Sequence, residues 1–326
     1  MEKVLKLEHV NVTYSNRGRE VYAVQDATFD IFKGDSIGIV GESGSGKSTL
    51  AMAVLRLLNE NTTVIDGLAE FEGKNLLAIS QKEMDQYRWK DLSVVFQKAM
   101  SALSPVHRIR TQVEDIYRVH EPHATDKEIE ERMTYLLKLV NLAPRVYNLY
   151  PHEMSGGMLQ RVAIAISLLH GPKLIVFDEA TTALDVITQS QILEEVVAME
   201  KEMDMARIMI THDMSVVAAS CKKVAVMYAG RFVEIGDVRS VFKDPKHPYT
   251  QGLLASFPSL KGENAKLKAI PGFMPNLSIK PEGCNFAPRC PYATERCKKV
   301  RPTQQQMEDG RMIACLLYEE GGTGNE

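Results

Sequence analysis

An α/β fold is predicted by three features of this sequence. Short apolar runs recur between stretches of helical periodicity, the order that builds a sheet flanked by helices. One such run, Ser36–Val40, leads directly into the glycine-rich GESGSGKST at 41–49 and then into the helix-like LAMAVLRLL. Another, LIVFDE at 174–179, ends in two acids.

Taken in order, residues 5–14 mostly alternate apolar and polar side chains, as a half-buried strand does. Residues 24–32 repeat the pattern, and Lys33-Gly34-Asp35 reads as the turn that ends it. The run at 36–40 is continuous enough for a buried central strand. LAMAVLRLL predicts an amphipathic helix. From about 99 to 170 the texture becomes helical and charged, as in EIEERMTYLLKLVNL, which predicts a helical subdomain inserted between strands. A helix over 190–203, a strand over 207–211 and a helix at Met214–Ser220 continue the alternation. Runs at 224–228 and 231–235 flank Ala229-Gly230 and predict a hairpin. Past residue 242 proline, glycine and short polar stretches take over. A boundary near 250 therefore separates a domain at 1–250 from an extension at 251–326.

Composition excludes several classes of function. The chain is 44% hydrophobic and 25% charged, with a net charge of −3, so nothing global draws it to nucleic acid or anionic lipid. The opening MEKVLKLEHV lacks the blocks of a signal peptide, and the apolar run at 162–169 is too short to cross a bilayer. A cytoplasmic protein is expected, and any membrane work would be peripheral, through partners. Of five cysteines, Cys221 stands alone and reads as a small core residue. Cys284, Cys290, Cys297 and Cys315 crowd together, which in such a compartment points to a metal site before disulfides.

GESGSGKS has the form G-x-x-x-x-G-K-[ST]. Gly41, Gly44 and Gly46 let the backbone wrap phosphate oxygens closely, and amides around Ser43, Ser45 and Thr49 can point at the anion. Lys47 can reach the β- and γ-phosphates, and the Ser48 hydroxyl can ligate Mg²⁺. Asp178 ends LIVFDE where it would hold that ion through water, and Glu179 is placed to orient the attacking water. The expected chemistry is ATP hydrolysis by positioning and charge neutralisation.

MSGGMLQR, just ahead of LIVFDE, resembles the signature motif of ABC ATPases. Ser155 there also reads as a helix N-cap. The resemblance implies that Ser155, Gly156 and Gly157 bind the ATP held by an opposite subunit, so that two sites form across a head-to-tail dimer. It implies a mixed sheet with an N-terminal antiparallel β-subdomain and a helical signature subdomain. Further motifs follow in order. Tyr14 resembles the adenine-stacking aromatic, and Gln97 in VVFQ resembles the Q-loop glutamine contacting Mg²⁺ and water. Ala183-Leu184-Asp185 resembles the D-loop, and His212 in ITHD resembles the switch histidine.

The tail is similar to that of the oligopeptide/dipeptide importer branch, on HPYTQGLLASFP, CNFAPRCPYATERC and the final Cys-Leu at Cys315. In that branch the four cysteines hold a 4Fe–4S cluster. Spacing alone leaves iron–sulfur and zinc open, since four thiolates serve either. Arg289, Lys298, Lys299 and Arg301 read as a solvated face. Ala180, Lys98-Ala99, Leu159 and Met154 depart from the family's common pattern, Lys98-Ala99 standing in place of an acidic residue and a proline, but none of the residues expected to do chemistry is missing. The resemblance implies two permeases, a second and different ABC ATPase, and an extracytoplasmic solute-binding protein. Peptides are the expected cargo, with oligosaccharides or metal ions as alternatives. A soluble ABC ATPase working on nucleic acid would be expected to carry a coiled-coil insertion or tandem domains, which this sequence lacks; an assembly factor whose tail cluster is cargo or a redox sensor is the third reading.

Overall fold

The computed structural model describes residues 2–97, 103–181, 184–256 and 269–319. Contacts divide the chain into two compact bodies, each assembled from separated stretches. The first is Met1–Val4, Phe32–Asp35 and Ile79–Met209; the second is Leu5–Ile31, Ser36–Ala78 and Ile210–Glu326.

In the second body β1 (Lys3–Asn16) and β2 (Arg19–Phe32) are longer than alternation alone predicts. They meet at Arg17-Gly18, with φ of 49° and 78°, the pair of left-handed residues whose twist suits a two-residue hairpin. β3 (Ser36–Val40) is buried at every position and leads to α1 (Lys47–Val54). β4 (Thr63–Phe71) pairs antiparallel with β1, setting Leu5 opposite Phe71 and Tyr14 opposite Thr63, and with the short β5 (Lys74–Asn75). β3 runs parallel to β9 (Lys223–Tyr228), which turns through Ala229-Gly230 into antiparallel β10 (Arg231–Asp237). The expected hairpin is therefore present. Two short tail strands, β11 (Gln305–Gln306) and β12 (Met312–Ile313), extend this mixed sheet in the order β11-β12-β10-β9-β3.

The first body carries β6 (Leu92–Phe96) parallel to β7 (Leu174–Asp178), with β8 (Ala206–Ile210) beside β7. Its helices are α2 (Gln81–Tyr87), α3 (Ile109–His120), α4 (Asp126–Leu139), α5 (Gly156–Ser167) and α6 (Val186–Met203). Charged EIEERMTYLLKL is helical, as expected, and starts on a capping box between Thr125 and Glu128.

Two elements differ from expectation. LAMAVLRLL is not an amphipathic surface helix: α1 stops at Val54 and Arg56 turns to φ 51°. Leu50, Ala51, Ala53 and Val54 are all buried, so the helix is apolar around most of its girth. The helix expected from 190 begins at Val186, because the Asp185 carboxylate accepts the Thr188 N–H at 3.0 Å and caps it.

After α7 (Met214–Ser220) and α8 (Val238–Lys243), α9 (Pro248–Ala255) begins the tail, which packs into the second body. Phe286 is 2% exposed and meets Tyr228 and Tyr249 edge-on, with centroids 5.1 and 5.4 Å apart. Burial of that ring contributes about 1.5–3 kcal/mol. Cys221 lies just past α7 and packs with Cys284 and Cys290 against the same cluster. Lys298 and Lys299, in α10 (Glu295–Lys299), are exposed as expected. Arg289 and Arg301 are not part of a solvated face: Arg301 donates to Gln25 Oε1 at 3.0 Å and Pro281 O at 2.8 Å, and the Arg289 side chain is 6% exposed.

His247 caps α9. Its Nδ1 accepts the Tyr249 N–H at 3.0 Å, its ring is 1% exposed, and burial pushes its pKa from 6.5 down to about 3. The folded state thus holds His247 neutral, and the unfolded state binds the extra proton. Its contribution is complete above pH 6.5 and is lost progressively as pH falls toward 3. Urea unfolding at pH 5.5 should show about 1 kcal/mol less stability than at pH 7.5 from this group. His247→Asn, which keeps a cap without a titrating ring, should lose that part of the slope.

Candidate functional site

The phosphate loop is built in the second body. β3 delivers the chain to Gly41, where an added Cβ would strike the Met227 carbonyl; at Gly46, with φ 101°, it would strike that of Ala23. The loop therefore lies flat against β2 and β9. Lys47 is 6% exposed, and its Nζ donates to the carbonyls of Gly41 at 2.8 Å and Glu42 at 2.9 Å, and to Ser45 Oγ at 3.4 Å. The loop folds around its own ammonium. Ser45 is buried, and its carbonyl accepts the Gly230 N–H at 2.9 Å. Ser43, Gly44 and Ser48 are exposed, so the outer rim of the loop faces solvent beside the N-terminus of α1, which favours anions.

Tyr14 and Thr49 are brought together, with their hydroxyls 3.2 Å apart. His212 is exposed. It follows Thr211, whose N–H donates to Ile39 O at 3.2 Å, so the histidine is tied to the strand that feeds the loop.

The first body carries its own group of candidate residues. The parallel register of β6 and β7 sets Phe96 opposite Asp178, so Gln97 leaves β6 where Asp178 ends β7. Asp178 is 9% exposed. Glu179, half-buried, has φ 49°, an uncommon conformation for a residue with a Cβ. Such local strain costs about 1–3 kcal/mol and concentrates at functional sites. Ser155 is the N-cap of α5, as expected, its Oγ accepting the Met158 N–H at 3.3 Å. Ser155 and Gly156 are exposed, and at Gly157 a Cβ would stand 3.0 Å from Thr188 Cγ2. Arg161 of α5 donates to Glu195 of α6 at 3.1 Å, and Asn141 donates to the same carboxylate at 2.8 Å, so the signature helix is pinned at its middle. Lys98-Ala99 and Ala183 lie outside the described residues.

The tail reaches the phosphate loop through contacts that the sequence analysis missed. Arg289 Nη1 donates to the Glu42 carboxylate at 2.9 Å and to Tyr228 Oη at 3.3 Å, and the Glu42 N–H donates to Tyr249 Oη at 3.0 Å. No local signal marks these residues: an arginine between two prolines in a polar tail looks solvated, and the glutamate fills a variable place in its motif.

None of the five cysteines forms a disulfide. Among the described residues no three His, Cys, Asp or Glu side chains are placed to hold a metal ion together. Cys284, Cys290, Cys297 and Cys315 are nonetheless electrostatic neighbours. Burial first, and then the three other thiols, push Cys315 up to about 11. The Cys284 N–H donates to the Cys297 carbonyl at 2.8 Å.

Residues 24–182 match the ABC transporter family, and 233–297 match the oligopeptide/dipeptide transporter C-terminal region. The oligopeptide transport ATP-binding protein OppD of Salmonella typhimurium is 43% identical over 96% of this chain and 93% of its own length. The chain belongs to the ATP-binding subunits of ABC transporters, in the oligopeptide/dipeptide branch. As a member it is an ATPase. The dipeptide transport ATP-binding protein DppD of Caldanaerobacter subterraneus is 38% identical, covering 98% of this chain and 99% of that one. A dimeric bacterial ABC transporter cassette has the same fold, with a TM-score of 0.65 at 27% identity over 72% of this chain and 99% of that chain. The α/β core with a mixed sheet is thus that of the family.

Proposed function

We propose that this ATPase is the motor of an importer for oligopeptides or dipeptides, seated peripherally on the cytoplasmic face of the cell membrane. The observation that carries the proposal is the match at 233–297, because that segment lies outside every catalytic motif and belongs to peptide transporters. Among the described residues no helix is long and apolar enough to cross a membrane. The working partners are two transmembrane permeases, a second, non-identical ABC ATPase and an extracytoplasmic solute-binding protein. Nucleic acid has no part in the cycle. We read residues 1–250 as the ATPase domain, with its helical subdomain at about 99–170, and 251–326 as a C-terminal extension.

In this reading Tyr14 supports adenine, and the 41–49 loop cradles the phosphates with Lys47 on the β- and γ-groups. Ser48, Gln97 and Asp178 offer hard oxygens, which fit Mg²⁺. The ion, when bound, neutralises phosphate charge. Glu179 orients and polarises the attacking water, assisted by Gln97 and His212. Ser155, Gly156 and Gly157 complete the site of the opposite subunit, so hydrolysis requires dimer closure, and closure moves the permeases.

Cys284, Cys290, Cys297 and Cys315 would hold a 4Fe–4S cluster. Four soft thiols suit it, and the backbone hydrogen bond from the Cys284 N–H to the Cys297 carbonyl supports the grouping. Zinc is the alternative occupant, since four thiolates serve either.

The test is uptake in proteoliposomes carrying the full complex, prepared anaerobically. ATP-dependent accumulation of a labelled tripeptide, abolished by Lys47→Ala, is expected, with iron and acid-labile sulfide in near-equal amounts. Accumulation of a labelled oligosaccharide or Ni²⁺ instead would remove the peptide assignment, and zinc alone would remove the cluster.

A further inference from the structure

We propose that the C-terminal extension tunes nucleotide affinity through Arg289, a positioning residue that neutralises Glu42 inside the phosphate loop. The inference rests on reading 41–49 as the nucleotide site.

Glu42 follows Gly41 directly, so its carboxylate sits in the one loop whose task is to receive a polyanion. Left unpaired there, it would repel the phosphates and compete with them for Lys47. The structure ties down all three polar groups of this residue. Its carbonyl accepts Lys47 Nζ at 2.9 Å, its N–H donates to Tyr249 Oη at 3.0 Å, and its carboxylate accepts Arg289 Nη1 at 2.9 Å. Two of these three partners come from the segment after residue 247. Arg289 is itself well anchored. Its Nε donates to Pro271 O at 2.8 Å, and its guanidinium lies 5.6 Å from the Tyr228 ring centroid. Its side chain is 6% exposed, against 30% for Glu42. A buried guanidinium held by tail carbonyls and aimed at one loop carboxylate is an electrostatic device. The loop keeps the hydrogen bonds of a glutamate without its net charge.

Arg289 also adjoins Cys290. Any change in how the thiol segment is held therefore reaches the nucleotide loop within one residue, and binding in one place alters binding in the other reciprocally.

The experiment measures ADP affinity of the full chain by calorimetry, without Mg²⁺, at low and high salt. Arg289→Gln, which keeps polarity but removes charge, should weaken ADP roughly tenfold at low salt, and less at high salt. Arg289→Lys should stay near wild type. The double variant Arg289→Gln/Glu42→Gln should regain most of the lost affinity, because the repelling carboxylate is gone. A structural role would not produce that rescue. Arg289→Gln binding ADP like wild type, or a double variant as weak as the single one, would overturn the proposal. If Arg289→Gln fails to fold, the pair Arg289→Lys and Arg289→Lys/Glu42→Gln decides it, since the proposal requires the second to bind at least as tightly as the first. Lys47→Ala serves as control. Should it also bind ADP normally, the reading of the loop as the nucleotide site fails, a result distinct from failure of Arg289.

Discussion

Glu179→Gln should bind ATP with near-native affinity and fail to hydrolyse it, with kcat lower by roughly 10²–10⁴-fold. The side chain keeps its size and its hydrogen-bonding capacity, so only the negative charge to which the proposed function assigns polarisation of water is lost. Glu179 occupies a left-handed backbone position at φ 49°, directly after the buried Asp178. The fold thus holds the carboxylate by its backbone, and the conservative substitution leaves that strain in place. Stopped-flow phosphate release beside ATP binding reads the two effects separately. The ATP-bound variant should also accumulate as a stable dimer, visible by size-exclusion chromatography. Turnover above a tenth of wild type would assign the role to another residue.

Gly46→Ala should be strongly damaging for a single added methyl. At φ 101° alanine pays about 1–2 kcal/mol for a left-handed backbone alone. Its Cβ would also collide with the Ala23 carbonyl, a backbone atom of β2 that has nowhere to retreat. The loop must then lift off the sheet, and a displacement near 1 Å costs roughly 10²-fold in a positioned reaction. Gly44→Ala is the natural comparison. Its φ is 78°, yet its Cβ would enter open space, with Met274 Sδ nearest at 4.0 Å. ATP binding and thermal unfolding of the two variants, measured side by side, should separate backbone strain from backbone collision. Equal losses in both would mean that close packing of the loop contributes nothing.

The parts of the site that were legible in the sequence are those where chemistry fixes spacing. The glycine loop, LIVFDE and the signature helix lie where their residue types place them, and Ser155 caps α5 as its position suggests. What escaped had no periodic signature. β4 spans TVIDGLAEF, whose alternation is broken by Gly67, and Gly67 packs against the backbone of His9 at a register shift in β1. The length of α6 was hidden because Val186-Ile187-Thr188 looks unlike a first turn, and only the Asp185 cap makes it one. Arg289 was misread for a more general reason. Charge clusters in a sequence usually mark solvent, and only tertiary structure reveals that one member turns inward to meet a partner 247 positions away.

The second body is discontinuous: its sheet needs β3 from the first fifth of the chain, β9 and β10 from the last third, and β12 from near the end. During synthesis the early strands emerge long before the strands that flank them. Until residue 313 has left the ribosome, β10 presents an unpaired edge on the side that β12 will cover. Such long-range pairings fold slowly. The nascent ATPase therefore spends most of its translation with apolar strands waiting for partners, a window in which chaperone supply governs yield. Truncations in the tail should accordingly appear first as insolubility of the whole chain, before any loss of catalysis can be scored.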